Sequence, residues 1–226
     1  MKKIFFALSI LVVTASSCVT SLQPLVTYNT AIADRRLEGA WTQDGQEYIV
    51  QNVFNSDFYK KNQKDLEKSR NENNGQLSKK DKEDSALFSK SYMIEYTKNG
   101  IRYLLFGSMI KLNGLLFMNF TPVVMTNTDS ANNEAVIDLP NRINSYTIAR
   151  IHFSNTNTLQ FDFIDGGYLH DQIKSGRMKI KNETDEFYDT FLITASTTEL
   201  QKFLEKYGND SRFFTKENSV TLIRKS

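Results

Sequence analysis

The chain has 226 residues, 40% of them hydrophobic, with 28 Lys and Arg, 26 Asp and Glu, two His and one Cys. Lys2 and Lys3 belong to an N-terminal export segment, and without them 26 basic residues face 26 acidic ones, a near-neutral balance that offers no electrostatic footprint for nucleic acid. The lone cysteine excludes internal disulfides, and two histidines supply few metal ligands, so core packing has to carry stability and no metal or cofactor is expected.

Met1-Lys2-Lys3 precedes an apolar stretch from Ile4 to Val13 broken only by Ser9. These are the charged and hydrophobic regions of a secretory signal. A membrane-spanning helix needs roughly 17–25 apolar residues, and this stretch is too short for that. Thr14-Ala15-Ser16-Ser17 then places small residues ahead of Cys18, so residues 1–17 read as a cleaved signal.

Cys18 with Ala15, Ser16 and Ser17 before it resembles the lipobox of bacterial lipoproteins, in which leucine more often stands where Ala15 does. The resemblance implies that Cys18 carries palmitate-type acyl chains. At about 0.8 kcal/mol per buried methylene, two chains already anchor stably. The alternative is an ordinary cleaved signal with Cys18 as an incidental thiol. An anchored protein would sit on a bacterial membrane of the cell envelope, the outer rather than the inner one.

Residues 18–36 read as a tether, because Pro24 and the Ser, Thr and Asn content oppose a long helix, although Ala31 to Leu37 could make one turn. Residues 37–226 then form one domain of short apolar runs separated by turn signals, the pattern of a β-rich fold. Asp44-Gly45 separates strands 40–42 and 47–54, Asn99-Gly100 separates 92–97 and 101–112, and Asn113-Gly114 separates the latter from 115–124. Asp-Gly and Asn-Gly supply the positive φ angles that tight hairpins need. Strands at 146–153 and 158–164 form another hairpin, and strands at 187–194 and 220–225 complete the set. Hairpin-length links imply an antiparallel meander.

The strand with Leu159, Phe161 and Phe163 alternates with polar residues, so one face is buried and one is wet. Tyr103 to Phe106 and Leu115 to Met118 are apolar on both faces. They are either covered on both sides or line an apolar cavity on one. A polar insertion at about residues 55–90 interrupts the meander, with Asp57–Arg70 and Ser78–Phe88 as helical candidates docked through Phe58, Tyr59, Leu66, Leu87 and Phe88. Near the end, Leu200, Phe203, Leu204 and Tyr207 share one helix face, started by a Ser196/Glu199 capping box and stopped at Gly208. A shorter helical turn spans Tyr168 to Ser175.

Gly39-Ala40-Trp41 on the first strand is similar to the Gly-x-Trp opening of lipocalins and the wider calycin barrels. In that family the tryptophan closes one barrel end against a late basic side chain, which implies a structural barrel-closure role for Gly39, Trp41 and Arg224. The order of strands, helix and final strand is similar too. The resemblance implies a mainly β fold, an antiparallel meander closing into a calycin-like barrel of about eight strands with a C-terminal helix before the last. The start Cys18 to Leu25 and the segment Ile193 to Leu204 also resemble envelope lipoproteins of uncharacterised function.

No residue constellation announces a reaction. His152 shares a strand face with Ile148 and Arg150, and His170-Asp171 lies in a helical turn where adjacent side chains diverge. Gly107-Ser108 lies inside an apolar strand and forms no nucleophile elbow. Asp138, Asp162 and Asp165 are carboxylates without a visible partner, and Gly166-Gly167 reads as a turn. Asp84-Ser85-Ala86 and Asp129-Ser130-Ala131, both expected in loops, resemble O-glycosylation acceptors, making Ser85 and Ser130 candidates. The expectation is a non-enzymatic, lipid-anchored envelope lipoprotein holding a small apolar ligand in its barrel. The alternative is a structural or assembly lipoprotein docking an envelope protein partner through the polar insertion.

Overall fold

The computed structural model describes residues 19–61, 63, 78–127, 145–185 and 190–225. In chain order its elements are β1 (Thr20–Ser21), β2 (Gly39–Gln43), β3 (Gln46–Asn52), α1 (Lys79–Phe88), β4 (Tyr92–Lys98), β5 (Ile101–Leu112) and β6 (Leu115–Asn127). They continue with β7 (Tyr146–Asn155), β8 (Thr158–Phe163), α2 (Gly166–Lys174), β9 (Asn182–Asp185), β10 (Thr190–Ile193), α3 (Thr197–Tyr207) and β11 (Ser219–Arg224).

Strands β2 to β8 pair as a meander, and β11 inserts between β8 and β2 to close an antiparallel barrel of eight strands. Local chemistry drives the meander. Asp44, Asn99 and Asn113 have φ of 49°, 52° and 45°, each followed by a glycine at 80°, 73° and 84°. Two consecutive positive φ angles are what a two-residue hairpin turn requires.

The register sorts side chains strictly. Trp41, Val50, Tyr92, Ile94, Met109, Met118, Phe120, Ala149, Ile151, Leu159, Phe161 and Leu222 form one buried cluster drawn from all eight barrel strands. These side chains point into the barrel and pack against one another. The strands that are apolar on both faces are covered on both. Leu105, Leu116 and Met118 pack inside, while Leu104 and Phe106 belong to a second cluster outside and Leu115 and Phe117 to a third.

One outer cover is the insertion. Val53, Met93 and Leu104 are buried beneath Phe58, Tyr59 and Phe88, and Phe88 meets Phe106 edge-on at 5.5 Å. Helix α1 starts with a capping box between Ser78 and Asp81 and buries none of its residues fully. The other cover contains α2, α3 and a three-stranded extension. β1 pairs with β7 on one side and runs parallel to β10 on the other, and β9 completes the extension. Of the expected strand at 187–194, β10 carries Thr190–Ile193, and residues 187–189 lie outside the described residues. Its partner β9, Asn-Glu-Thr-Asp, has no apolar pattern that could have announced it.

The expected tether is a correction. From Val19 onward the segment is part of the fold: Val19 is 2% exposed, and Leu25, Val26, Ala31 and Leu37 are also buried. Val26 N–H donates to the buried Asn119 side chain at 3.0 Å, and Thr197 and Gln201 of α3 donate to the carbonyls of Pro24 and Leu25. Val19, Leu25, Val26 and Ala31 follow neither helical nor strand spacing, because they fill gaps between the barrel wall and α3, whereas Leu37 joins the cluster inside the barrel. The helical turn within the segment is Arg35–Leu37, capped by Asp34.

Helix α3 carries its capping box, with Glu199 accepting from Ser196, and buries Leu200, Phe203 and Leu204. Gly208 is its C-cap at φ −63°, so no left-handed turn ends the helix. Glycine is needed there for space, since an added Cβ would run into the Leu204 carbonyl and the Phe117 ring. Gly166 and Gly167, expected as a turn, begin α2 behind the N-cap Asp165.

Candidate functional site

At one end of the barrel the Gly39 backbone meets the side chains of Trp41 and Arg224. Trp41 is fully buried, and its indole N–H donates to the Leu37 carbonyl at 2.8 Å. Arg224, opposite Trp41 in the β11–β2 register, holds its guanidinium 4.2 Å from the ring centre. Its Nη1 donates to the Glu38 carbonyl at 2.8 Å, and Nη2 donates to the carbonyl of Arg36. Gly39 has φ +132°, and a Cβ there would lie 2.5 Å from Arg224 Nη1. The glycine therefore makes room for the arginine that covers the tryptophan. Tyr92 adds a clamp, its hydroxyl accepting from Asp34 N–H at 2.6 Å and donating to Asp34 O at 3.0 Å. Arg36 lies over Phe153 at 4.2 Å. This end is sealed by internal bonds.

Tilted strands carry the same register row away from that end, through Tyr48, Tyr96 and Tyr103. These three tyrosines lie near the Asp44-Gly45 and Asn99-Gly100 turns and are half-buried. Tyr96 stacks on Tyr103 at 4.8 Å and tilts against Tyr48 at 5.2 Å. Burial, reinforced by Tyr103 and Tyr48, pushes the Tyr96 hydroxyl up to about 12. Burial and the nearby Asp44 carboxylate also raise Tyr48.

The strand face with Arg150 and His152 gathers a buried polar network on the outer wall. Asp162, 3% exposed, accepts from Arg150 Nη2 at 3.0 Å, and from Gln160 and Ser219 at 2.7 Å each. Burial works to raise its pKa, but the hydrogen bonds from Ser219, Arg150 and Gln160 outweigh that and hold it below the ordinary carboxylate value. Arg150 also donates to the Gly208 carbonyl and lies 4.4 Å over Phe214, so the network fastens the end of α3 to the wall. His152 Nδ1 lies 3.6 Å from Asp162. Ser219 Oγ is bonded to the carboxylate instead of to an imidazole, so a serine–histidine contact of the kind nucleophilic catalysis needs is missing from this network.

The remaining candidates stay apart. His170 on α2 meets Phe191 edge-on at 6.4 Å. Asp165 caps α2 by accepting from Tyr168 N–H at 2.8 Å. Ser108 is buried and shares a 2.8 Å hydrogen bond with Ser91. Ser85 is exposed, on helix α1 instead of in a loop. Cys18, Ser130 and Asp138 lie outside the described residues, as do residues 1–17 and residues 64–77 of the insertion. Among the described residues no group of three His, Cys, Asp or Glu side chains could hold a metal, and no helix is long and apolar enough to cross a membrane.

A groove that the sequence did not announce lies outside the barrel, between α3 and the segment after α2, with a volume of about 780 Å³. Arg177, Lys179, Lys181, Lys202 and Lys206 line it, with Glu199 as the carboxylate among the lining residues. The alternation of cations with Met178 and Ile180 was the available signal. Near-neutral overall charge concealed it, because the cations of α3 join those of the segment only in three dimensions. Comparison of the chain with protein-family models, with curated proteins and with solved structures gives no match.

Proposed function

We propose that the protein is a lipid-anchored cell-envelope lipoprotein without catalytic activity, whose filled barrel serves as a scaffold and whose outer surface docks an envelope partner. The observation that supports this reading is the buried cluster contributed by all eight barrel strands, whose inward side chains pack against one another. Function on a packed scaffold belongs to the surface elements it positions. The insertion suits that role. Helix α1 supports its own start through the Ser78–Asp81 capping box and holds to the wall through Leu87 and Phe88, while Lys79, Lys80 and Lys82 are exposed.

The anchor is proposed at Cys18. Val19 beside it is buried and Thr20 is paired in the sheet, so an acylated Cys18 would seat the domain on the membrane with almost no slack. Labelled palmitate should enter the wild-type chain and not Cys18→Ala. Equal labelling, or none in either, removes the anchor. For docking, Lys79→Glu, Lys80→Glu and Lys82→Glu together should erase partner crosslinks in cells. An unchanged set of crosslinked partners counts against docking there.

A second reading, the binding of a small apolar ligand, is favoured by the half-buried Tyr48, Tyr96 and Tyr103, whose ring faces could receive one at the turn end of the barrel. Native mass spectrometry of protein from its own cells should then find a bound apolar molecule that Tyr96→Ala and Tyr103→Ala release. Bare wild-type protein would exclude that reading.

A further inference from the structure

The basic groove points to a ligand of its own, independent of the docking surface on α1. We propose that it binds a single-chain anionic amphiphile, with the headgroup on Lys181 and Lys202 and the hydrocarbon chain along the floor.

Three observations converge on that chemistry. The first is charge. Five cations line the groove, and among the described residues none of them forms an ion pair. The carboxylate of Glu199 is already engaged, accepting from Ser196 N–H at 2.8 Å and from its hydroxyl at 2.6 Å. Those Ser196 hydrogen bonds chiefly hold Glu199 below its ordinary value. Lys181 lines the same groove as Glu199 and Lys202, which lie three residues apart on α3 and so share a helix face.

The second is the floor. Ile173, Ile180 and Tyr207 are half-buried among the cations, above the buried Met178 and Phe203. A bare inorganic anion would leave the exposed parts of Ile173, Ile180 and Tyr207 wet, whereas a hydrocarbon chain would cover them and gain from leaving water. The third is shape. A volume of about 780 Å³ falls within the range of roughly 300–1,000 Å³ typical of small-molecule sites. A shallow, open groove of that size accommodates one short-chain molecule lying along it.

The test is calorimetric titration of the full chain, held in zwitterionic-lipid nanodiscs, with octyl phosphate. Octanol and inorganic phosphate are titrated in parallel, and empty discs give the blank. Octyl phosphate should bind at least about tenfold more tightly than either control, and added salt should weaken it. Lys181→Glu with Lys202→Glu should cut affinity by about tenfold or more without moving the unfolding temperature, since both side chains are exposed. Ile180→Ser should weaken octyl phosphate and leave phosphate unchanged. Charge reversal at Lys79, Lys80 and Lys82 should have no effect, which separates this site from docking on α1. Octanol binding as tightly as octyl phosphate, phosphate binding as tightly as octyl phosphate, or affinity indifferent to Lys181 and Lys202 would each overturn the proposal.

Discussion

The two ends of the register row from Arg224 to Tyr103 use aromatic residues in opposite ways. At one end Trp41 is fully buried, its N–H is bonded to Leu37, and Arg224 lies across its face while donating to the carbonyls of Thr156, Glu38 and Arg36. At the other, Tyr48, Tyr96 and Tyr103 stack on one another half-buried beside two hairpin turns. The first arrangement spends the indole N–H and each guanidinium nitrogen on backbone carbonyls to make a seal. The second leaves polar edges near solvent and costs little to alter. The row thus passes from a side chain locked by long-range bonds to tyrosines held mainly by one another.

That asymmetry has measurable consequences. Trp41→Ala should have the largest effect, about 3–5 kcal/mol of stability in chemical denaturation, because a buried indole is lost and a cavity remains. A loss no greater than that of Tyr96→Ala would erase the distinction between the ends.

On the wall between them, Asp162→Asn should cost about 1.5–3 kcal/mol at neutral pH by weakening charge-assisted hydrogen bonds from Arg150. Its folded pKa lies below the unfolded value, so the carboxylate's contribution is present above the unfolded pKa and lost as pH falls through the folded one. The gap between wild type and Asp162→Asn should therefore narrow in acid, as urea melts at a series of pH values would record. A gap independent of pH would contradict this assignment.

Gly39→Ala should cost about 1–3 kcal/mol, combining a backbone angle unfavourable to other residues with the clash at Arg224. Truncating Arg224 to alanine in the same chain should recover part of that loss, so the double mutant should be more stable than the sum of the singles predicts. Additive effects would mean the glycine answers to φ alone. The smallest effect belongs to the tyrosine end. Tyr96→Phe should change stability by about 0.5 kcal/mol or less. Ultraviolet titration should lose a tyrosine ionising near pH 12 in that variant. A wild-type chain whose tyrosines all ionise at the ordinary value would contradict the burial of Tyr96.

What the sequence made legible was local. Asp-Gly and Asn-Gly pairs marked three hairpins, and the Ser196/Glu199 pair with Leu200, Phe203 and Leu204 marked α3, because the chemistry of each lies within a few residues. Strands apolar on both faces announced double coverage. What stayed hidden depends on distant partners. Pro24, Leu25 and Val26 looked like tether because they answer to Thr197, Gln201 and Asn119, far away in sequence. Strand β9 has no apolar face, and its pairing comes from β10. The cations of the groove are split between two elements, so neither Arg177 to Lys181 nor Lys202 to Lys206 stood out alone.

The central claim is that side chains, not ligand, occupy the barrel axis, and Ala149 tests it most directly because it is fully buried and faces inward from β7. Ala149→Leu adds three carbons to that space. A filled barrel should lose about 1–3 kcal/mol of unfolding free energy to overpacking. Unchanged or increased stability would show that the interior has room to spare, and the scaffold reading would give way to a ligand cavity.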